Sequence, residues 1–465
     1  MRRGREGFVL VVLLVVLAGG VAADGLSHGV RPSNGAREAG DVYVERGEYC
    51  PPGLRTAQAE SKIVAASPKG DPVPVGLQPA LPQPLQLGEG KLLVRKRTSS
   101  TGVDVVGYGA PVLAGSLSQY AKPVRGATAV RCAPDASAEW FFAEGSSAID
   151  YDERIVLYNP FPAEAVVRVT VFTPKGPQSK AGLSEIPVPE SGATVVELNE
   201  FVRVQPVLGA SVETTRGRVV AWRVVLVDTN ETESASAALG VDRPAPTWYL
   251  PNGDIGSGVA ERISILNPGS EEAIVTVSLV SRKGVVQPPK LVDLVVRPRT
   301  VRALTVSEFL KEADRDLGAV SAVVRSNNGV PVVVDQTLTY TSGELAGTAS
   351  EAGAPAPGLH WSIAPPSTRP TSESLTLFNP GTERATASVT LVRADGGPKH
   401  PADLQDVKLE PGGRTKLPIG QFTKGLPMMA FVDATAPVVV DRFAYSESDG
   451  DVASVGGERV RTSER

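Results

Sequence analysis

A chain of 465 residues exceeds what one hydrophobic core supports and implies about three to four domains. Its 47 Lys and Arg stand against 51 Asp and Glu, a formal net charge of −4, and no basic cluster lies beyond the N-terminus, which argues against nucleic acid as a partner. Abundant Gly, Pro, Val, Ser and Thr with few aromatics favour short strands and turns over long helices.

The N-terminus carries Arg2, Arg3 and Arg5, an apolar run from Phe8 to Ala18, and small residues at Val21 and Ala23. This is the layout of a secretory signal, so residues 1–23 read as a signal peptide cleaved after Ala23 or, alternatively, as an N-terminal anchor. Phe8 to Ala23 falls short of the roughly 20 apolar residues that span hydrocarbon, which favours cleavage. No Cys follows the run, so a lipid anchor is not expected. Either reading places the mature chain outside the cytoplasm, secreted or at the cell surface.

Residues 24–41 are polar and Gly-rich, a flexible leader. Residues 42–135 contain both cysteines, Cys50 and Cys132. In an oxidising compartment such a pair is most simply one disulfide. The absence of C-x-x-C and the presence of only three histidines leave metal and redox roles without support. Pro68, Pro72, Pro74, Pro79, Pro82 and Pro84 predict irregular, loop-like chain until about Leu87. Two strands around Gly102 follow, and the unit reads as a degenerate relative of what comes next.

Three repeats follow, at 136–243, 244–356 and 357–457. Each opens on a Trp strand, WFFAEG from Trp140, WYLPNG from Trp248 and WSIAPP from Trp361. An Asn-Pro hairpin comes next, IVLYNP, ISILNP and LTLFNP, with Trp-to-Asn spacings of 19, 19 and 18 residues. Its second strand alternates, as in Ala273, Val275, Val277 and Leu279 against Thr276 and Ser278, the period of two of a half-buried strand. Asn267-Pro268-Gly269 and Asn379-Pro380-Gly381 supply tight-turn chemistry, whereas Phe161-Pro162 in the first repeat predicts a different turn. A helical turn is expected to plug each unit with Phe201, Phe309 or Phe422. A further hairpin turns at Gly217 and Gly329, and a short last strand holds Ala235-Ser236, Ala349-Ser350 and Ala453-Ser454. About seven strands per repeat predict an all-β chain of tandem Ig-like antiparallel sandwiches. Residues 458–465 read as a disordered tail.

Trp140, Trp248 and Trp361 start alternating apolar strands and read as core. Trp222 stands where the other repeats have Asp335 and Asp441, which makes it the candidate exposed aromatic for ligand contact. Asp150, Asp152 and Glu153, and Asn252, Asp254 and Glu261, read as solvated loop charge, because the third repeat has Ser367, Thr368 and Arg369 there. No metal site, cofactor or catalytic residue is predicted: His28, His360 and His400 are scattered, and no nucleophile, zinc or phosphate-loop motif is present.

The Trp strand followed by the LYNP hairpin, with Cys50-Pro51, Cys132, Trp140, Gly145 and Asn159-Pro160 and their later copies, resembles a family of secreted or envelope-associated actinobacterial proteins whose domain has no known function. The resemblance covers about residues 42–457. It implies export and a tandem β architecture, and brings no activity or catalytic residue. The expectation is a non-catalytic extracytoplasmic scaffold of the cell envelope, whose partners are envelope proteins or wall polysaccharide. Rival readings are a wall- or carbohydrate-binding module, which predicts exposed aromatics such as Trp222 near polar loops, and a secreted hydrolase, which predicts a cleft with converging carboxylates.

Overall fold

The computed structural model describes residues 46–460 apart from 55–57, 69–72, 79–83, 89, 98–100, 109, 231, 282–283, 311–316, 342–344, 368 and 449. The signal or anchor, the leader, His28 and residues 461–465 lie outside the described residues. Val44–Arg465 forms one compact unit. Among the described residues no helix is long and apolar enough to cross a membrane.

The fold is all-β, and sheets come in pairs, as the alternating pattern requires. In the first repeat one sheet has the order Gly192–Glu197, Tyr151–Asn159, Val220–Asp228, Glu233–Leu239. The other has Gly176–Gln178, Ala165–Thr173, Gly209–Arg216, Glu139–Phe142. Ala165, Val167, Val169 and Val171 point into the core between them. The second and third repeats repeat the first order as Thr300–Thr305, Val259–Asn267, Val333–Tyr340, Gly347–Ala352 and as Arg414–Pro418, Ser372–Phe378, Met429–Ser446, Asp451–Gly456. Residues 46–131 build the same order again, as Leu93–Arg97, Gln58–Ala66, Leu113–Lys122, Gly126–Arg131, under a second sheet that begins at Arg46–Cys50.

Several local expectations are corrected. The proline-dense stretch is not all loop: Val73–Gln78 and Leu85–Leu87 are strands, with Val73, Val75 and Leu77 buried. Pro74 has no N–H to donate, but its carbonyl accepts the Tyr108 N–H at 3.0 Å. The element turning at Gly217 and Gly329, with φ of 80° and 77°, is not a hairpin. Gly209–Arg216 and Val220–Asp228 belong to opposite sheets, so the chain crosses the core there, and in the third repeat Met429–Ser446 makes that crossing as one continuous strand. The Phe161 turn matches its siblings. Asn159 Oδ1 accepts from Phe161 N at 3.0 Å as Asn267 Oδ1 does from Gly269 N at 3.1 Å, and neither Gly269 nor Gly381 has positive φ, so a side chain fits. Finally, residues 458–460 are not a loose tail: Glu458–Arg459 pairs with the Trp361 strand, and Val460 N donates to His360 O.

The four sheet pairs do not lie as independent beads. The last strand of each unit, here its inner strand, packs on its neighbours in a closed ring: Gly126–Arg131 on Glu233–Leu239, that on Gly347–Ala352, that on Asp451–Gly456, and that back on Gly126–Arg131. The cores are correspondingly shared. Val64, Leu92, Leu113 and Leu117 of the first unit join the core of the third repeat, and Phe141, Phe172 and Val241 of the first repeat join that of the second. Each sandwich leaves apolar residues on an outer face, and burial against the next unit removes that area from water.

Candidate functional site

The ring has two unlike ends. At the start of the inner strands, Asp451 is buried and accepts from Ala127 N at 3.1 Å, Ala235 N at 2.9 Å, Ser234 Oγ at 2.7 Å and Val452 N at 2.8 Å. Ser234 Oγ in turn accepts from Thr348 N at 2.8 Å. One carboxylate thus ties all four inner strands together. Burial pushes its pKa up to about 7 against these donors.

At the far end the inner strands open into a recess of about 850 Å³, lined by residues of the first unit and all three repeats. Its walls include Trp140, Trp248 and Trp361, whose indole N–H groups donate to Val219 O at 2.8 Å, Val332 O at 2.8 Å and Val438 O at 3.0 Å. These three are buried as expected. The rim carries exposed charge of both signs, Asp135, Asp242, Arg243 and Arg459, beside His360, whose Nδ1 lies 2.6 Å from Asp433 Oδ1. Deeper in the recess lie Arg131, Gln336, Glu351 and Asp441.

Glu351 and Asp441 converge. Ser454 Oγ is 3.0 Å from Glu351 Oε1 and 2.9 Å from Asp441 Oδ1. Burial raises the pKa of both, and for Asp441 the facing Glu351 raises it further. Neither residue stands in a recognisable motif. Asp441 was visible only as the partner in position of Trp222, since Trp222, Asp335 and Asp441 pair with Leu239, Ala352 and Gly456 at the same place in each inner-strand ladder.

Trp222 itself is corrected. It is 0% exposed, packed in the first repeat's core, and its indole N–H points at Arg131 O at 3.4 Å. A large ring at this central position is buried by the neighbouring unit, so it offers no face to a ligand. Cys50 and Cys132 are bonded, with Cα atoms 4.4 Å apart, which ties the end of the first inner strand to its second sheet.

The reading of Glu153 and Glu261 as solvated charge is also corrected: both are buried, and Glu373 of the third repeat occupies the same place. Glu153 accepts the Ser146 N–H at 2.5 Å, Glu261 accepts from Gln336 Nε2 at 2.6 Å, and Glu373 Oε1 takes Arg442 Nε at 2.8 Å and Nη2 at 2.6 Å. Burial raises Glu153 and Glu261 to about 8. The Glu of WFFAEG has an inter-repeat role, since Glu144 is held by Arg262 and Ser264 of the second repeat. Asn252, at the same place in WYLPNG, accepts from Thr376 Oγ1 of the third repeat at 3.3 Å. Pro365 replaces it in WSIAPP, and the next neighbour around the ring is the first unit, met through Ala364.

No curated protein matches the chain. Among solved structures, the crystal structure of Thermotoga maritima 1070 is 20% identical, covering 24% of this chain and 95% of that chain at a TM-score of 0.20. A Streptomyces avermitilis alpha-L-rhamnosidase complexed with L-rhamnose is 10% identical over 84% of this chain and 54% of that chain, at a TM-score of 0.13. At such scores neither carries an argument. The Family of unknown function (DUF5719) matches residues 98–356 and 244–460, two overlapping stretches that cover the ring from the late first unit to the last strand, and the chain belongs to that family.

Proposed function

We propose that this protein is a non-catalytic, extracytoplasmic binding scaffold of the cell envelope that receives an envelope protein or wall polysaccharide in the recess at the end of its strand ring. The observation that carries this reading is the recess, an opening of about 850 Å³ with a mixed-charge rim to which every unit contributes. The Cys50–Cys132 bond supports an oxidising compartment. Co-sedimentation of the purified protein with isolated cell walls and with purified wall polysaccharide tests it. Saturable binding that Arg243→Glu with Arg459→Glu abolishes is the expected result; the absence of binding to walls, glycan and envelope proteins overturns it.

One observation favours a second reading, that of a hydrolase: Glu351 and Asp441 converge beside the recess. Against it, Asp441 is 1% exposed, and a catalytic carboxylate has to touch its substrate. Turnover of a wall glycan that Asp441→Asn abolishes would establish this reading over the first.

A further inference from the structure

The contact between Glu351, Asp441 and Ser454 has a shortage of hydrogens. Ser454 Oγ carries one hydrogen, yet it lies at hydrogen-bond distance from a carboxyl oxygen of each acid. It can donate to one of them only. The other contact needs a hydrogen from the acid itself. The remaining oxygens, Glu351 Oε2 and Asp441 Oδ2, are buried, the two carboxyl groups interact directly, and the Gly456 N–H acts on Glu351 alone. Two ionised carboxylates at this separation, out of water, would repel without compensation. The acids come from different repeats: Glu351 sits on the inner strand of the second, Asp441 and Ser454 on adjoining strands of the third.

We propose that Glu351, Asp441 and Ser454 form a proton-binding site that clamps the second repeat to the third, so that loss of the proton loosens this seam and widens the recess. The surrounding charges do not replace the proton. Arg131 on the first inner strand acts on Glu351, and Lys416 on Arg414–Pro418 acts on Asp441, yet both acids remain raised. Tyr340 on Val333–Tyr340 has its own pKa raised, chiefly by burial. Gln336 is neutral, and Glu458 and Arg459, of opposite charge, line the same recess. The sign follows. The closed seam holds a proton that the open seam releases above the ordinary carboxyl range, about pH 4, so opening is favoured as pH rises from there to the raised pKa of the pair, and levels off beyond it. For one proton the opening equilibrium rises roughly tenfold per pH unit in that window.

The test is hydrogen exchange of the full chain between pH 5 and 7, corrected for intrinsic rates, at the amides of 349–352 and 454–456. Wild type is expected to open roughly tenfold more per pH unit there. Glu351→Gln is expected to remove that slope, because its amide donates to Asp441 without titrating and leaves the Ser454 hydrogen for the second contact. Asp441→Asn serves the same purpose should the first variant fail to fold. A flat wild-type profile overturns the proposal with no variant needed, and so does a slope that survives in a folded variant.

Discussion

At one end of the ring four donors converge on a single carboxylate, Asp451; at the other a single hydroxyl serves two carboxyl groups, Glu351 and Asp441. Both sites are buried and both join different units, the first bringing together Ala127 and Asp451, 324 residues apart, the second two consecutive repeats. The difference lies in the count of hydrogens. Saturated with donors, the first site seals its end, and the strands there approach closely. Short of one hydrogen, the second takes it from solution, and it sits where the strands part into the recess. Burial raises the acid at both ends, but at the first it is opposed by four donors, whereas at the second a neighbouring acid adds to it.

Substitutions at the two ends separate these roles. The largest expected effect is at the recess end, where replacing Cys50 and Cys132 by Ser opens a loop with a sequence separation of 82 residues. A loss of about 4 kcal/mol is expected on the chain-entropy account, read from urea unfolding. Asp451→Ala leaves the Ala127, Ala235 and Val452 N–H groups without their acceptor and should cost about 3 kcal/mol, given roughly 1–3 kcal/mol for each buried group left unsatisfied and some entry of water. An effect under about 1 kcal/mol would show that the sealed end is not held by this carboxylate. Ser454→Ala removes one hydrogen from the proton-short end and should cost about 1 kcal/mol. Equal losses from Asp451→Ala and Ser454→Ala would erase the contrast between the ends. Away from the axis, Gly329→Ala is expected to cost about 1 kcal/mol from its φ of 77° alone, since nothing lies within 4 Å of the added carbon. Gly269→Ala, without positive φ, should be close to neutral in the same assay.

Much of this was written in local pattern. The period of two in Ala165 to Val171, the Asn-Pro turns and the Trp strands specify a sandwich wherever they stand, because strand alternation and turn geometry depend on a few adjacent residues. Even so, Glu153, Glu261 and Glu373 carried a signal that composition obscured. Each stands two residues before the apolar strand of its hairpin, but Asp150 and Asp152 beside Glu153 make it look like loop charge. Its burial rests on partners such as Ser146, Gln336 and Arg442, which approach only in the folded chain. Trp222 failed for the same reason: a break in the repeat pattern marked it, and only the adjoining unit decided that its ring is covered.

The sequence by itself determined three copies of a β unit, their Asn-Pro hairpins and most of their core faces, since these follow from backbone sterics and from the apolar period along one strand. Tertiary structure alone decided that the units close into a ring, that Leu117 near the start packs in the core of the last repeat, and that Glu351 meets Asp441. Such contacts depend on the relative placement of surfaces hundreds of residues apart, and burial, which is non-directional, leaves no local period to read.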